Sequence, residues 1–197
     1  KQGKIDFANS YVIGDRDTDM QLAENMAIEG IKYDREVTNW LAIEKQLLSN
    51  NRTATIERNT SETSIAVTVD LDSKAKSTIN TGIGFYDHML DQIATHGGFY
   101  LNCQVQGDLH IDDHHTVEDV GIALGQALVE ALGDKRGINR YGDCHLAMDD
   151  AQVRCALDLS ARPYLICNLE LPTAKIGTFD TELVREFFQA FSTHGGI

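Results

Sequence analysis

One tetrapeptide, Thr-His-Gly-Gly, occurs twice, at 95–98 and at 193–196. Sliding the chain by that offset lays FYDHMLDQIATHGGF over LVREFFQAFSTHGGI, and at a shorter offset ETSIAVTVDL overlays DAQVRCALDL. A strand-like and a helix-like stretch recur in the same order, so the chain is constrained to fold as two similar halves, an internal duplication. The overlay pairs Glu62 with Asp150 and His88 with Glu186. Metal-competent side chains at equivalent points of two repeats are what a pseudo-symmetric dinuclear site needs. The segment 99–133 has no counterpart in the second repeat, which is therefore read as truncated.

The first repeat sets the pattern. ATIERNTSETSIAVTVDLD alternates polar and apolar with Ile65, Val67, Val69 and Leu71 on one face, a half-buried strand. KAKSTINTGIG gives a turn and a short strand. FYDHMLDQIATH reads as a helix from about Tyr86, ended by Gly97-Gly98 because glycine takes the left-handed cap conformation. FYLNCQVQGDLHID reads as strand, turn, strand. After the turn DKRGINRYGD, AQVRCALDLSARPYLICNLEL reads as a hairpin of two strands and ELVREFFQAFSTHGGI as a helix.

The chemistry concentrates at His110–Glu118, HIDDHHTVE, which runs into the apolar, proline-free VGIALGQALVEAL. Asp112-Asp113 can cap the helix start, since carboxylates accept its free N–H groups and face its positive end. His114 and Glu118 then share one face at i and i+4, with His115 turned away by about 100°. Ligands in two directions suit two metal ions better than one, and imidazole with carboxylate suits Mn, Fe, Co or Zn. His88 and Glu186 complete the candidate ligand set. For His96 and His194 a structural hydrogen bond and a ligand role stay equally open, whereas His110, in a strand, and His145, in a loop, read as structural. Glu62 gains interest from its acidic repeat partner Asp150. Arg140 and Arg162, with Lys135 and Arg136 nearby, carry the guanidinium fork that suits phosphate, each a weak signal alone.

Ahead of the repeats, Tyr11–Ile13 reads as a short strand running into Gly14-Asp15 and a helix from about Asp17. Asp15 and Asp19 stand at the strand's C-terminal end, where two carboxylates can hold Mg²⁺ or merely shape a loop and a cap. DREVTNWLAIEKQLLSNNR, 34–52, reads as a helix and then a polar linker around Ser49-Asn50-Asn51. A net charge of −13 argues against nucleic acid and anionic membrane. No apolar run approaches the roughly 18 residues that span a bilayer. Four cysteines without CxxC spacing read as reduced thiols, so a cytoplasmic setting is expected. Lys1 at the start and Ile197 after Gly195-Gly196 make both ends look cut.

Two resemblances follow from these motifs. GDRDTDMQLAENMAIEGI resembles the last acidic motif of the haloacid-dehalogenase-like phosphatases, most closely histidinol-phosphate phosphatase, in which Asp15 and Asp19 would bind Mg²⁺. That family's nucleophilic aspartate motif is absent, so residues 1–51 are expected to be a catalytically dead remnant of an α/β domain. TGIGFYDHMLDQIATHGG, GDLHIDDHHTVEDVGIALGQAL and DLSARPYL, in this order, resemble the imidazoleglycerol-phosphate dehydratases over 52–197. Together they imply a piece of a bifunctional phosphatase/dehydratase of histidine biosynthesis. The second resemblance implies an α+β fold of duplicated half-domains, each a mostly four-stranded sheet with helices on one face, repeat 1 at about 52–140 and repeat 2 at about 141–197. It implies a hydro-lyase acting on a small phosphorylated imidazole diol with two Mn²⁺ per site. His88, His114, His115, Glu118 and Glu186 would bind manganese, Glu186 standing where other members often carry histidine. Glu62 and Glu118 would be catalytic, and Glu62, His88, Asp91, Gln92, His96, His114, His115, Glu118, Arg140 and Arg162 would contact substrate, the arginines toward phosphate. It further implies a homo-oligomer of trimers building a shell of about 24 subunits, with sites between subunits. The rival readings are a phosphohydrolase working through Asp15 and Asp19, which lacks a nucleophile, and a non-catalytic metal-binding assembly subunit.

Overall fold

The computed structural model describes residue 7, residues 10–48 and residues 52–197. The chain divides into two compact units, 1–50 and 51–197. In the first, β1 (Tyr11–Gly14), α1 (Asp17–Met26) and β2 (Glu29–Lys32) follow one another, the strands parallel in the register Tyr11↔Glu29 to Gly14↔Lys32. α2 (Trp40–Leu48) starts at Trp40 rather than at Asp34. Asp34 explains the difference. Its Oδ1 accepts the N–H groups of Glu36 and Val37 at 2.8 and 2.9 Å, which fixes a turn, and Asn39 Oδ1 then takes the N–H of Ala42 at 3.1 Å.

In the second unit β3 (Thr53–Asn59), β4 (Thr63–Asp70), β5 (Thr78–Asn80) and β6 (Tyr100–Gly107) form one sheet of order β3-β4-β6-β5. β5 runs parallel to β6; the other neighbours are antiparallel. The alternating stretch is thus two strands, turned back at Thr60-Ser61-Glu62, and not one. α3 (Gly84–Gly97) begins at Gly84, ahead of the expected Tyr86. α4 (His114–Leu132) carries Val117, Val120, Ala123, Leu124 and Ala127 into a core shared with Ile65, Val67 and Val69 of β4. Each fully buried valine or leucine contributes about 1.5–3 kcal/mol. α5 (Leu183–Gly195) joins the same core through Leu183 and Phe187. α3 and α5 end alike. Gly98 at φ 69° is followed by Phe99 N–H donating to Ala94 O at 3.1 Å, and Gly196 at φ 61° by Ile197 N–H donating to Ser192 O at 3.1 Å.

The sequence pattern went astray in the second half. β7 (Tyr141–Met148) pairs with β8 (Ala151–Asp158) as an antiparallel ribbon turned at Asp149, φ 51°. The partner of β8 is therefore the segment before it, not 163–171. Pro163 has no N–H for a ladder. Ala161 and Tyr164 instead donate their N–H groups to Gly196 O and Ile197 O, at 2.9 and 3.1 Å, beyond the end of α5. Residues 159–174 carry no helix or strand; β9 (Lys175–Ile176) and β10 (Phe179–Asp180) form a small antiparallel pair before α5. Among the described residues the second half, expected to be truncated, has a two-stranded ribbon and a short pair. The register puts Cys144, Leu146, Met148, Val153, Cys155 and Leu157 on one ribbon face, apolar and yet exposed or nearly so. His110 likewise departs from expectation, lying in a turn after β6 and not in a strand. No helix among the described residues is long and apolar enough to cross a membrane.

Candidate metal and substrate site

The HHxxE opens α4. Asp113 occupies the N-cap position without a side-chain cap bond, while Asp112 Oδ1 accepts the N–H of His114 at 2.8 Å. One acid of the expected pair does the capping. One helical turn then brings His114 Nε2 to 3.7 Å from Glu118 Oε2. The His115 ring stands 6.1 Å from that of His114 and almost perpendicular to it, at 89°. Its Nδ1 lies 3.0 Å from Asp108 Oδ2, in the turn after β6. A carboxylate on Nδ1 fixes the ring and leaves Nε2 for another partner, the arrangement met behind metal-bound histidines. The other oxygen of Asp108 is buried without a hydrogen-bond partner among the described residues.

The Asp108 bond, aided by the charges of Asp112 and Glu62, raises His115 above the ordinary imidazole value. Glu62 sits in the β3–β4 turn, exposed. The Ser61 hydroxyl, 2.7 Å from its Oε1, holds its carboxyl below the usual range, and Thr60 and His115 act the same way. Glu62 and His115 are thus electrostatic neighbours although distant in sequence. Burial raises Asp113, and the charges of Asp180 and Asp112 add to that.

Other expected residues stand apart. His88 is exposed on α3 and Glu186 half-buried on α5. No three His, Cys, Asp or Glu side chains among the described residues converge on a point that would hold a metal. The chain by itself therefore does not gather His88, His114, His115, Glu118 and Glu186 into one cage. His96 Nε2 lies 3.1 Å from Gln92 Oε1, one helical turn back. Asp91 borders a groove with Lys74, Lys76 and Ser77. His194 borders another, with Glu57, Gln126 and Glu130.

Of the two arginines, Arg140 pairs directly with Asp158. Arg140 donates from Nε at 2.6 Å and from Nη2 at 2.9 Å, and its guanidinium carbon stands 5.0 Å from the centre of the Tyr141 ring. That fork holds Asp158 below the usual carboxylate range, with Arg162 and Lys135 contributing. Lys135 Nζ also donates to Leu159 O at 3.0 Å.

In the first unit Asp15 is exposed. Asp19 Oδ2 accepts the N–H of Arg16 at 3.1 Å and packs over Gly14, where a Cβ would collide with it. Its carboxylate serves as a helix cap.

Sequence reasoning missed Asp108, Asp119 and Arg58. Arg58 Nε donates to Asp119 Oδ1 at 2.9 Å, and Asp119 is only 6% exposed. An acid interrupting the apolar run between Val117 and Val120 was the available signal: such a group is buried only when paired.

The family profile described as imidazoleglycerol-phosphate dehydratase matches residues 81–197. The imidazoleglycerol-phosphate dehydratase of Cereibacter sphaeroides is 70% identical over 146 residues, 74% of this chain and 75% of that one. That of Ruegeria pomeroyi is 69% identical over the same shares. The crystal structure of imidazoleglycerol-phosphate dehydratase from Staphylococcus aureus superposes with a TM-score of 0.66 at 41% identity, over 73% of this chain and 79% of that one.

Proposed function

The chain belongs to the imidazoleglycerol-phosphate dehydratases, a family of hydro-lyases, and on that premise we propose that it acts on imidazole glycerol phosphate at a dinuclear manganese site. The reaction releases water and gives imidazole acetol-phosphate, a step of L-histidine biosynthesis. The observation that carries the reading is the HHxxE turn: His114 beside Glu118 at 3.7 Å, and His115 held from behind by Asp108. Imidazole nitrogen with carboxylate oxygen is a donor set that fits manganese. His114, His115 and Glu118 would hold the metal, with His88 and Glu186 from α3 and α5 supplying further ligands. Bound manganese supplies Lewis acidity toward the imidazole ring.

The side chains carry the remaining roles. Glu62, kept ionised by Ser61 and Thr60, is the group that takes and returns a proton. Arg140 and Arg162 receive the phosphate, which competes with Asp158 for the Arg140 fork. His88, Asp91, Gln92 and His96 line the substrate from α3. Because the ligands are dispersed over one chain, copies of it complete each other's sites in a homo-oligomer. The matching ends of α3 and α5 support reading 52–197 as duplicated half-domains.

We read residues 1–51 as a remnant of a haloacid-dehalogenase-like domain, supported by the parallel β1–α1–β2 unit with Asp15 and Asp19 after β1. The residues do not fit a working magnesium site, since Asp19 is occupied as a cap and no third acid converges there among the described residues.

The test is a dehydratase assay with added Mn²⁺ on the protein and its His114→Ala/His115→Ala variant. Loss of manganese-dependent dehydration in the variant supports the reading; undiminished turnover would sink it.

A further inference from the structure

Glu118 is followed by an acid that points the other way. Asp119 is 6% exposed and receives Arg58 Nε at 2.9 Å and Nη2 at 2.8 Å on Oδ1. Its other oxygen takes the Thr63 hydroxyl at 2.6 Å and lies 3.5 Å from that of Thr60. The same Thr60 oxygen accepts the N–H groups of Glu62 and Thr63, at 3.2 and 3.0 Å, and the Thr60 N–H closes the turn on Thr63 O at 2.8 Å. One buried carboxylate on α4 thus grips both flanks of the turn that carries Glu62. Its own helix carries His114, His115 and Glu118 on the preceding turn.

We propose that Asp119 is a positioning residue for the dehydration: through Thr63 and Thr60 it sets where the Glu62 carboxylate stands relative to the HHxxE turn, with Arg58 anchoring it from the strand side. The inference rests on the reading of Glu62 as the proton-carrying group. The physical need is clear. Glu62 is exposed in the β3–β4 turn at the edge of the four-stranded sheet, and an exposed turn is more mobile than the strands it joins. An error of about 1 Å in such a group costs on the order of a hundredfold in rate. A charged acceptor buried against two hydroxyls and a guanidinium is a strong and directional tether.

The experiment uses the protein, assayed with added Mn²⁺, and four variants. Thr63→Val removes the 2.6 Å bond and leaves the Arg58–Asp119 pair intact. It should lower the thermal midpoint, because Asp119 Oδ2 loses a buried donor, and should lower the kcat of the folded protein at least tenfold with KM almost unchanged, and Thr63→Ser should restore kcat to within about threefold. Asp119→Asn should lower kcat further, again with little change in KM for the molecules that fold. Wild-type kcat in Thr63→Val, or a loss of kcat in Asp119→Asn that only tracks the loss of folded protein, overturns the proposal. Glu62→Gln separates the two readings. If it abolishes turnover while Thr63→Val is unaffected, the tether is wrong and the role of Glu62 stands; if it retains turnover, the role of Glu62 is wrong and the tether falls with it.

Discussion

Replacing Gly125 by alanine should destabilise the second unit, although alanine is the better helix former. Gly125 lies in the middle of α4, where exchanging glycine for alanine normally gains about 1 kcal/mol. Here an added Cβ would stand 2.7 Å from Phe191 O, 2.8 Å from Gly195 N and 3.1 Å from His194 C. All three are backbone atoms of α5, so no side chain can rotate away and the helices must part. Overpacking of this kind costs about 1–3 kcal/mol, toward the upper end where backbone must shift. The balance is a net loss of about 1–2 kcal/mol. Urea unfolding followed by helical circular dichroism would show it as a midpoint lowered by roughly 0.5–1 M at unchanged slope. Gly84→Ala is the control: nothing lies within 4 Å of its Cβ position at the start of α3, so that variant should gain stability. If Gly125→Ala raised the midpoint as Gly84→Ala does, the close approach of α4 and α5 would be refuted.

Three further outcomes follow from single side chains. Burial pushes the Cys103 thiol up to about 12, so iodoacetamide at pH 8 should leave it unlabelled in the native chain while exposed Cys144 and Cys155 react, as peptide mass spectrometry would show; equal labelling rates would contradict its burial. Arg52, hydrogen-bonded to Asp72, holds that carboxyl below its usual value, so the pair stabilises above the unfolded carboxylate pKa and the gain is lost as pH falls through the lower folded value. Asp72→Asn should therefore cost less than about 1 kcal/mol at pH 7, the side chains being 37% and 49% exposed, and should flatten the acid limb of stability measured by urea unfolding from pH 7 to 2. Thr116 Oγ1 is buried with no hydrogen-bond partner among the described residues, so Thr116→Val should be neutral or stabilising by about 1 kcal/mol; a loss of 2 kcal/mol or more in the same assay would show a partner for that hydroxyl.

What the sequence revealed depended on the range of the interaction. The i, i+4 contact of His114 with Glu118 and the glycine ends of α3 and α5 follow from helical spacing and left-handed caps, and both were legible. The Asp108–His115 bond crosses a turn of no regular period. The Arg58–Asp119 pair joins a strand to a helix across the core, and no periodicity places those two together. The misread hairpin has a plainer cause. Alternation in 151–158 says that a strand exists but not which neighbour it joins, and Pro163 together with the Asp149-Asp150 turn was the signal that decided between them. In Thr53–Asp70 the alternation breaks at Glu57–Ser64, a run of polar residues only, and that run was the signal for the turn at Thr60-Ser61-Glu62.

That same turn explains how a site can be built from parts that look unrelated. Two neighbouring histidines of one helix cannot share an orientation, because each step along a helix turns the side chain by about 100°. His114 goes to Glu118 and His115 to Asp108, so the HHxxE offers its nitrogens to two places. Glu62 stands on a separate hairpin, and Asp119, the buried acid on that stretch of α4, holds that hairpin down. Four consecutive helical positions, Thr116 to Asp119, thus serve three directions: two side chains into the core, one toward the His114 face, one back to the strands. A helix used on both sides in this way has little room for substitution, which is why a change as small as one hydroxyl at Thr63 should be felt at Glu62.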